Sequence, residues 1–185
     1  MKVLLTGFEP FDNADINPSW EAVKKIPEIS GFELKKVLLP VVFRKASALL
    51  ISEIEKFSPD AVICTGLAGN RDRITVERVA INIEDARIPD NDGNCPVDQL
   101  ISSDGPDAYF TTLPMRKIIS RMEEAGVKAA VSNSAGTYVC NDIMYSLLRY
   151  ISLSGKDIKG GFIHLPDDLT ESMPLALTEA VKALV

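Results

Sequence analysis

A chain of 185 residues, 46% hydrophobic and 25% charged, is long enough to bury one core without staples and is expected to form a single domain over residues 1–185. Its net charge of −6, with Lys24-Lys25 and Lys35-Lys36 as isolated basic pairs, argues against nucleic acid as a partner, because phosphate backbones need clustered cations. The opening M-K-V-L-L-T-G-F-E breaks its apolar run too early for a signal peptide, and no stretch nears the roughly 18 apolar residues of a membrane span, so a cytoplasmic location away from membranes is expected.

Taken in order, the segments alternate strand and helix. Lys2 to Thr6 reads as a buried strand ending at Gly7. Asn17 and Pro18 supply an N-cap followed by a proline at the first helical position, opening a short helix through Trp20, Val23 and Ile26. Leu34 to Leu39 predicts a second strand, and Ala46, Leu49, Leu50 and Ile54 recur at helical spacing. Asp60 to Gly66 is a short apolar run bounded by turn residues, a third strand. Ile74 to Ile83, rich in β-branched residues, predicts one continuous strand. Asp85 to Asp107, dense in Asp, Asn, Gly and Pro, reads as a long surface loop, a feature that is usually functional when a domain retains it.

Thr112-Leu113-Pro114 opens a helix with Met115, Ile118, Ile119 and Met122 on one face, stopped by Gly126. Val127 to Val131 predicts a strand, Asn141 to Ile151 a helix, Gly161 to Leu165 a strand and Pro174 to Leu184 a final helix. Strands separated by helices predict an α/β fold: a three-layer α/β/α sandwich around a mostly parallel twisted sheet.

His164 is the only histidine, so any imidazole chemistry must use it. It ends the apolar run G-G-F-I-H-L-P, where open parallel sheets place their sites. Its ring shares a face with Phe162, while Ile163 and Leu165 point the other way. The three cysteines, Cys64, Cys95 and Cys140, are odd in number and widely spaced, which disfavours a disulfide framework. With one histidine and no C-x-x-C, a metal site is not expected, and no cofactor motif appears.

Cys140 stands where S-N-S-A-G-T-Y-V-C meets a helix, and a thiol there pairs naturally with the lone histidine. The helix terminus alone contributes about 0.3–1 kcal/mol, too little to ionise a thiol at neutral pH, so a nearby imidazolium is required. A buried structural cysteine is the competing reading. Glu77, in I-T-V-E-R-V-A-I-N, is the candidate to orient the imidazole. On one continuous strand it shares a face with Val79, Ile81 and Ile83, and a carboxylate there needs a strong partner. A structural salt bridge remains the alternative.

Several blocks then resemble a known family. G-F-E-P-F from Gly7, N-P-S-W from Asn17, E-R-V-A-I-N from Glu77, D-A-R-I-P-D-N from Asp85, S-N-S-A-G-T-Y-V-C-N from Ser132 and G-F-I-H from Gly161 are similar, in order, to signatures of pyrrolidone-carboxylate peptidases (pyroglutamyl peptidase type I). The resemblance implies a cysteine peptidase with a Glu77-Cys140-His164 triad that removes N-terminal pyroglutamate from small peptides. It further implies an oxyanion site at the Cys140 N–H and the Arg87 guanidinium, a lactam pocket at Phe8, Phe11, Ile88 and Val139, and a homotetramer or homodimer, the tetramer being preferred.

Two departures stand out. Asp12-Asn13 replaces two glycines usual in the family, which predicts a stiffer loop beside the pocket, and the stretch from Leu165 to Met173 is short. Two other readings compete. One is a small-ligand binding module on the same type of sheet with Cys140 structural, against which stands the absence of G-x-G-x-x-G and G-x-x-x-x-G-K-[ST]. The other is a thiol amidohydrolase acting on a different cyclic or blocked amide.

Overall fold

The computed structural model describes residues 1–167 and 172–185. From the N-terminus the chain runs through β1 (Lys2–Phe8), α1 (Pro18–Lys25), β2 (Glu33–Leu39), α2 (Lys45–Phe57) and β3 (Ala61–Leu67). It continues through β4 (Ile74–Glu77), β5 (Val79–Ile81), β6 (Ala108–Phe110), α3 (Met115–Glu124) and β7 (Ala129–Ser132). α4 (Val139–Ser154), β8 (Lys159–Leu165) and α5 (Ser172–Lys182) complete it. Of the short stretch 165–173, residues 168–171 lie outside the described residues.

Among the described residues six strands form one sheet in the order β2-β1-β3-β8-β4-β7, and β5 pairs with β6 in a small separate ribbon. The β2-β1-β3-β8 pairings are parallel. β4 runs antiparallel to β8 and parallel to β7. β1, β3 and β8 are buried along nearly their whole length, as expected of strands covered on both faces.

Two apolar layers confirm the three-layer α/β/α arrangement. One joins Val3, Leu5, Ile63, Val76 and Ile163 to α1, α3 and α5. The other joins Leu4, Val62, Cys64 and Phe162 to α2 and α4. Strand alternation decides which side chain meets which layer, and it places Phe162 and Ile163 on opposite sides as their positions predict.

Local chemistry explains the element starts. The Asn17 side chain accepts the Ser19 N–H at 3.0 Å, and Pro18 opens α1, the N-cap geometry that satisfies an otherwise unpaired helix donor. A side chain at Gly7 would lie 2.6 Å from the Trp20 Cα, so the glycine lets β1 run directly under the start of α1.

The predicted strand over residues 74–83 is broken. β4 ends at Glu77 and β5 begins at Val79. At the break Arg78 uses its N–H on the Ser132 carbonyl and its own carbonyl on the Thr111 N–H, so the chain leaves the main sheet for the ribbon. Period two therefore does not carry Glu77's face through to Ile81, which is exposed. The β-branched run signalled strand throughout but could not reveal a change of sheet. The long segment 85–107 contains no strand or helix, only an isolated bridge between Glu84 and Gln99.

Candidate active site

The site forms where β3 and β8 end and α4 begins. Strand register pairs Gly66 with His164. A Cβ on Gly66 would lie 2.8 Å from Cys140 Sγ and 2.8 Å from Phe162 Cζ. The missing side chain is thus the space the sulfur occupies, and it brings the thiol over the strand residue paired with His164.

α4 is pinned at its start. Asn141, fully buried, accepts the Ile81 N–H at 3.0 Å and donates to the carbonyls of Ile81 and Ile83. Asp142 accepts the Arg44 N–H at 3.0 Å. Cys140, the second residue of the helix, has a backbone N–H with no intrahelical acceptor, as helix geometry dictates. That donor faces the end at which the helix dipole favours negative charge.

His164 is 4% exposed and its Nδ1 lies 2.8 Å from Glu77 Oε1, Glu77 being wholly buried. Thr75 is the register partner of His164 in β4, so Glu77, two residues on, is its diagonal neighbour on the same face. Burial pushes the Glu77 carboxyl up, but the hydrogen bond and charge of His164, followed by hydrogen bonds from Ser132 and Arg71, more than offset this and hold it below its ordinary value. An ionised carboxylate only accepts, so His164 carries its proton on Nδ1 and presents the Nε2 lone pair.

Burial opposes the ionisation expected of the thiol. Burial pushes the Cys140 thiol up to about 12, with the charge of Glu77 adding to the effect. Burial also lowers His164 below 6.5 despite its carboxylate partner. Desolvation disfavours both charged forms, which favours a neutral thiol beside a neutral imidazole in the free site. The imidazolium arises only when the thiol proton is transferred.

A cleft of about 760 Å³ lies over the site, lined among others by Cys140, His164, Arg71, Arg87, Ile88 and Tyr138. Beneath it a narrower apolar recess of about 40 Å³ is formed by Phe8, Phe11, Val41, Leu67, Tyr138 and Val139 with Asn17 and Cys140. Cys140 borders both. Phe8, Phe11 and Val139 thus meet around the recess, whereas Ile88 and Arg87, both exposed, line the outer cleft. Cys64 is fully buried in β3 and Cys95 is exposed outside the cleft-lining set.

The separate sequence blocks become one surface here. Asp85 and Thr137 are joined by two hydrogen bonds, and Tyr138 Oη donates to the Pro89 carbonyl at 3.0 Å. Asn91 donates to Glu9 Oε1 and the Pro10 carbonyl. The segment 85–91 therefore links the turn bearing Phe11 to the approach to Cys140. Asp12 and Asn13 both have left-handed backbones, φ 52° and 60°, and the Ala14 N–H closes the turn on the Phe11 carbonyl at 3.1 Å. These residues hold the conformation that glycine adopts freely, and Asp and Asn tolerate it better than other side chains.

Sequence reasoning passed over two residues. Tyr138 walls both cavities and stacks edge-on against Phe43, with ring centroids 5.3 Å apart. Its place one residue before the thiol's helix was the available signal. Arg71 donates to Glu77 Oε1 at 2.5 Å, to Thr75 Oγ1, and to the Ser134 carbonyl at 3.2 Å. Arg71, two residues after Gly69, gave no such signal.

A family model described as pyroglutamyl peptidase matches residues 1–175. A pyrrolidone-carboxylate peptidase of Thermococcus onnurineus is 53% identical, covering 99% of this chain and 94% of its own. One from Bacillus subtilis is 49% identical over 99% of this chain and 88% of its own. Among solved structures, pyroglutamyl peptidase I of Bacillus amyloliquefaciens superposes with a TM-score of 0.94 at 44% identity, covering 99% of this chain and 96% of that one. A variant pyrrolidone carboxyl peptidase of Pyrococcus furiosus gives 0.95 at 38% identity, covering 100% and 98%.

Proposed function

The chain belongs to the pyroglutamyl peptidase family, and from that premise we propose that Glu77, Cys140 and His164 carry its reaction. It is a cysteine peptidase that hydrolyses the amide bond after an N-terminal pyroglutamyl residue. The observation that supports the assignment is the convergence of a buried Glu77–His164 pair with a thiol seated over Gly66, at the mouth of an apolar recess.

On this reading the lactam enters the recess between Phe8, Phe11 and Val139, with Ile88 flanking the outer opening. Cyclisation has removed the amine charge, so an apolar enclosure suits the ring, whereas a free glutamyl terminus would bring a cation whose desolvation costs several kcal/mol. His164 Nε2 takes the thiol proton as Cys140 Sγ attacks the carbonyl that joins pyroglutamate to the next residue. Negative charge moves to the carbonyl oxygen, where the Cys140 N–H and the Arg87 guanidinium stabilise it. Collapse breaks the carbon–nitrogen bond, the imidazolium returns its proton to the departing amine, and a thioester remains. Water, deprotonated by His164, then attacks the thioester; 5-oxoproline leaves and the thiol is restored. Glu77 holds Nδ1–H throughout and stabilises the transient imidazolium.

The same proposal includes one peptidase domain over residues 1–185, small peptides as substrates, a cytoplasmic location, and a homotetramer or homodimer, with the tetramer favoured. No described helix is long and apolar enough to cross a membrane.

The test is release of a chromogenic amine from a pyroglutamyl amide, set beside prolyl, alanyl and glutamyl amides. Turnover of the first alone, abolished in Cys140→Ala and in His164→Ala, is the expected result. Equal turnover of the prolyl amide would overturn the lactam assignment, and inactivation by iodoacetamide through Cys95 would overturn that of Cys140.

A further inference from the structure

Glu77 has no exposed surface, and among the described residues its Oε2 finds no hydrogen-bond partner. Its Oε1 receives both His164 Nδ1 and Arg71 Nη1, and the Ser132 hydroxyl also favours the ionised carboxylate. A carboxylate so placed keeps its charge only beside a cation, because burial otherwise favours its neutral form. If it gained a proton it could donate to Nδ1. The imidazole would then carry its proton on Nε2 and could not accept one from the thiol.

Arg71 reaches this position through a topological accident. β4 runs against β8, so the loop that leads into β4, not the one that leaves it, lies at the end of the sheet where His164 sits. The guanidinium, three-quarters buried, spans that end. One nitrogen serves Glu77 and Thr75 and the other the Ser134 carbonyl, in the segment that runs into Cys140.

We propose that Arg71 is a positioning residue for the triad: one guanidinium keeps Glu77 an acceptor for His164 and ties the segment before Cys140 to the same acid. The inference rests on the triad reading above. The fork geometry matters as well as the charge, since a lysine could neutralise Glu77 but could not hold Ser134 at the same time. Among the described residues, the charged and titratable groups facing His164 are Glu77 from β4, Arg71 from the loop before it and Cys140 from α4. Both consequences of losing Arg71 have one sign. Glu77 would take up a proton more readily, and His164 would lose a positive neighbour that lowers its affinity for protons, so the coupled pair would protonate at higher pH.

His164 is the only histidine, so isotope-labelled histidine gives a single imidazole whose tautomer and titration can be followed by NMR in the free enzyme. In Arg71→Gln the midpoint of that titration, and the acid limb of kcat/KM, should move up together. kcat should fall by roughly 10²-fold, the scale of a small misplacement of reacting groups, with KM altered less. Arg71→Lys should keep the midpoint near that of the wild type yet lose part of kcat.

A folded Arg71→Gln with an unmoved midpoint would overturn the proposal, as would a change in KM alone, which would make Arg71 a substrate contact. If Arg71→Gln fails to fold, wild-type kcat in Arg71→Lys would be equally fatal. Because the titration needs no substrate, a midpoint that moves as stated in a protein inert toward pyroglutamyl amides would sustain this inference while overturning the proposed function.

Discussion

Glu77 and Arg71 act on the same imidazole with opposite electrostatic sign, which separates their roles experimentally. In the proposed mechanism activity needs the neutral imidazole, present above the His164 pKa and lost as pH falls through it; burial lowers that pKa from its ordinary value. The carboxylate of Glu77 raises it, so Glu77→Gln should move the acid limb of kcat/KM further down, against the upward shift expected for Arg71→Gln. Turnover in Glu77→Gln should fall by roughly 10⁴-fold and leave a remnant, by analogy with loss of the orienting acid in a serine peptidase. Near-normal turnover, or an upward shift, would remove Glu77 from the triad. The three proposed residues, whose side chains the fold brings to one site, stood out in the sequence because each was scarce or out of place: a single histidine at a strand end, a cysteine opening a helix, a carboxylate in a β-branched run. Arg71 was not, because its contacts depend on a strand direction that hydrophobic period cannot encode.

At the scale of elements, the layers and most strands followed from the alternation of apolar runs and helical spacing, while the exceptions arose from long-range pairing. The residues from Ile74 to Ile83 have uniform strand chemistry, yet Arg78 divides them between two sheets by bonding to Ser132 and Thr111, partners more than thirty residues away. Asp12 and Asn13 occupy the backbone region that glycine favours, so replacing both by glycine should leave KM for a pyroglutamyl amide within about threefold, since relief of backbone strain of order 1 kcal/mol offsets the added freedom of the unfolded chain. Asn13→Val should cost about 1–2 kcal/mol, read as a lower denaturation midpoint, and should raise KM by disturbing Phe11. An unchanged midpoint in Asn13→Val would show that the left-handed turn is not required.

For the whole molecule, the proposed assembly and the proposed site make separable claims. Glu77, Cys140 and His164 come from β4, α4 and β8 of one chain, so association should not be needed to complete a triad. Light scattering at micromolar concentration should give a tetramer or dimer mass, and a monomer mass would overturn the assembly. Mixing Cys140→Ala with His164→Ala subunits should restore no activity; restoration would mean that a site draws on two chains.

β8 is the last strand in chain order yet lies in the middle of the sheet, between β3 and β4. Until it inserts, β2-β1-β3 and β4-β7 are two fragments with no hydrogen-bonded seam, and such late, non-local closure slows folding. During synthesis the thiol therefore leaves the ribosome before the strand that bears its base. A nascent chain halted before Lys159 should hydrolyse no pyroglutamyl amide, and its Cys140 should titrate as an ordinary thiol. On the proposed mechanism, a chain without β8 lacks its base and should act as a peptidase only once the sheet has closed.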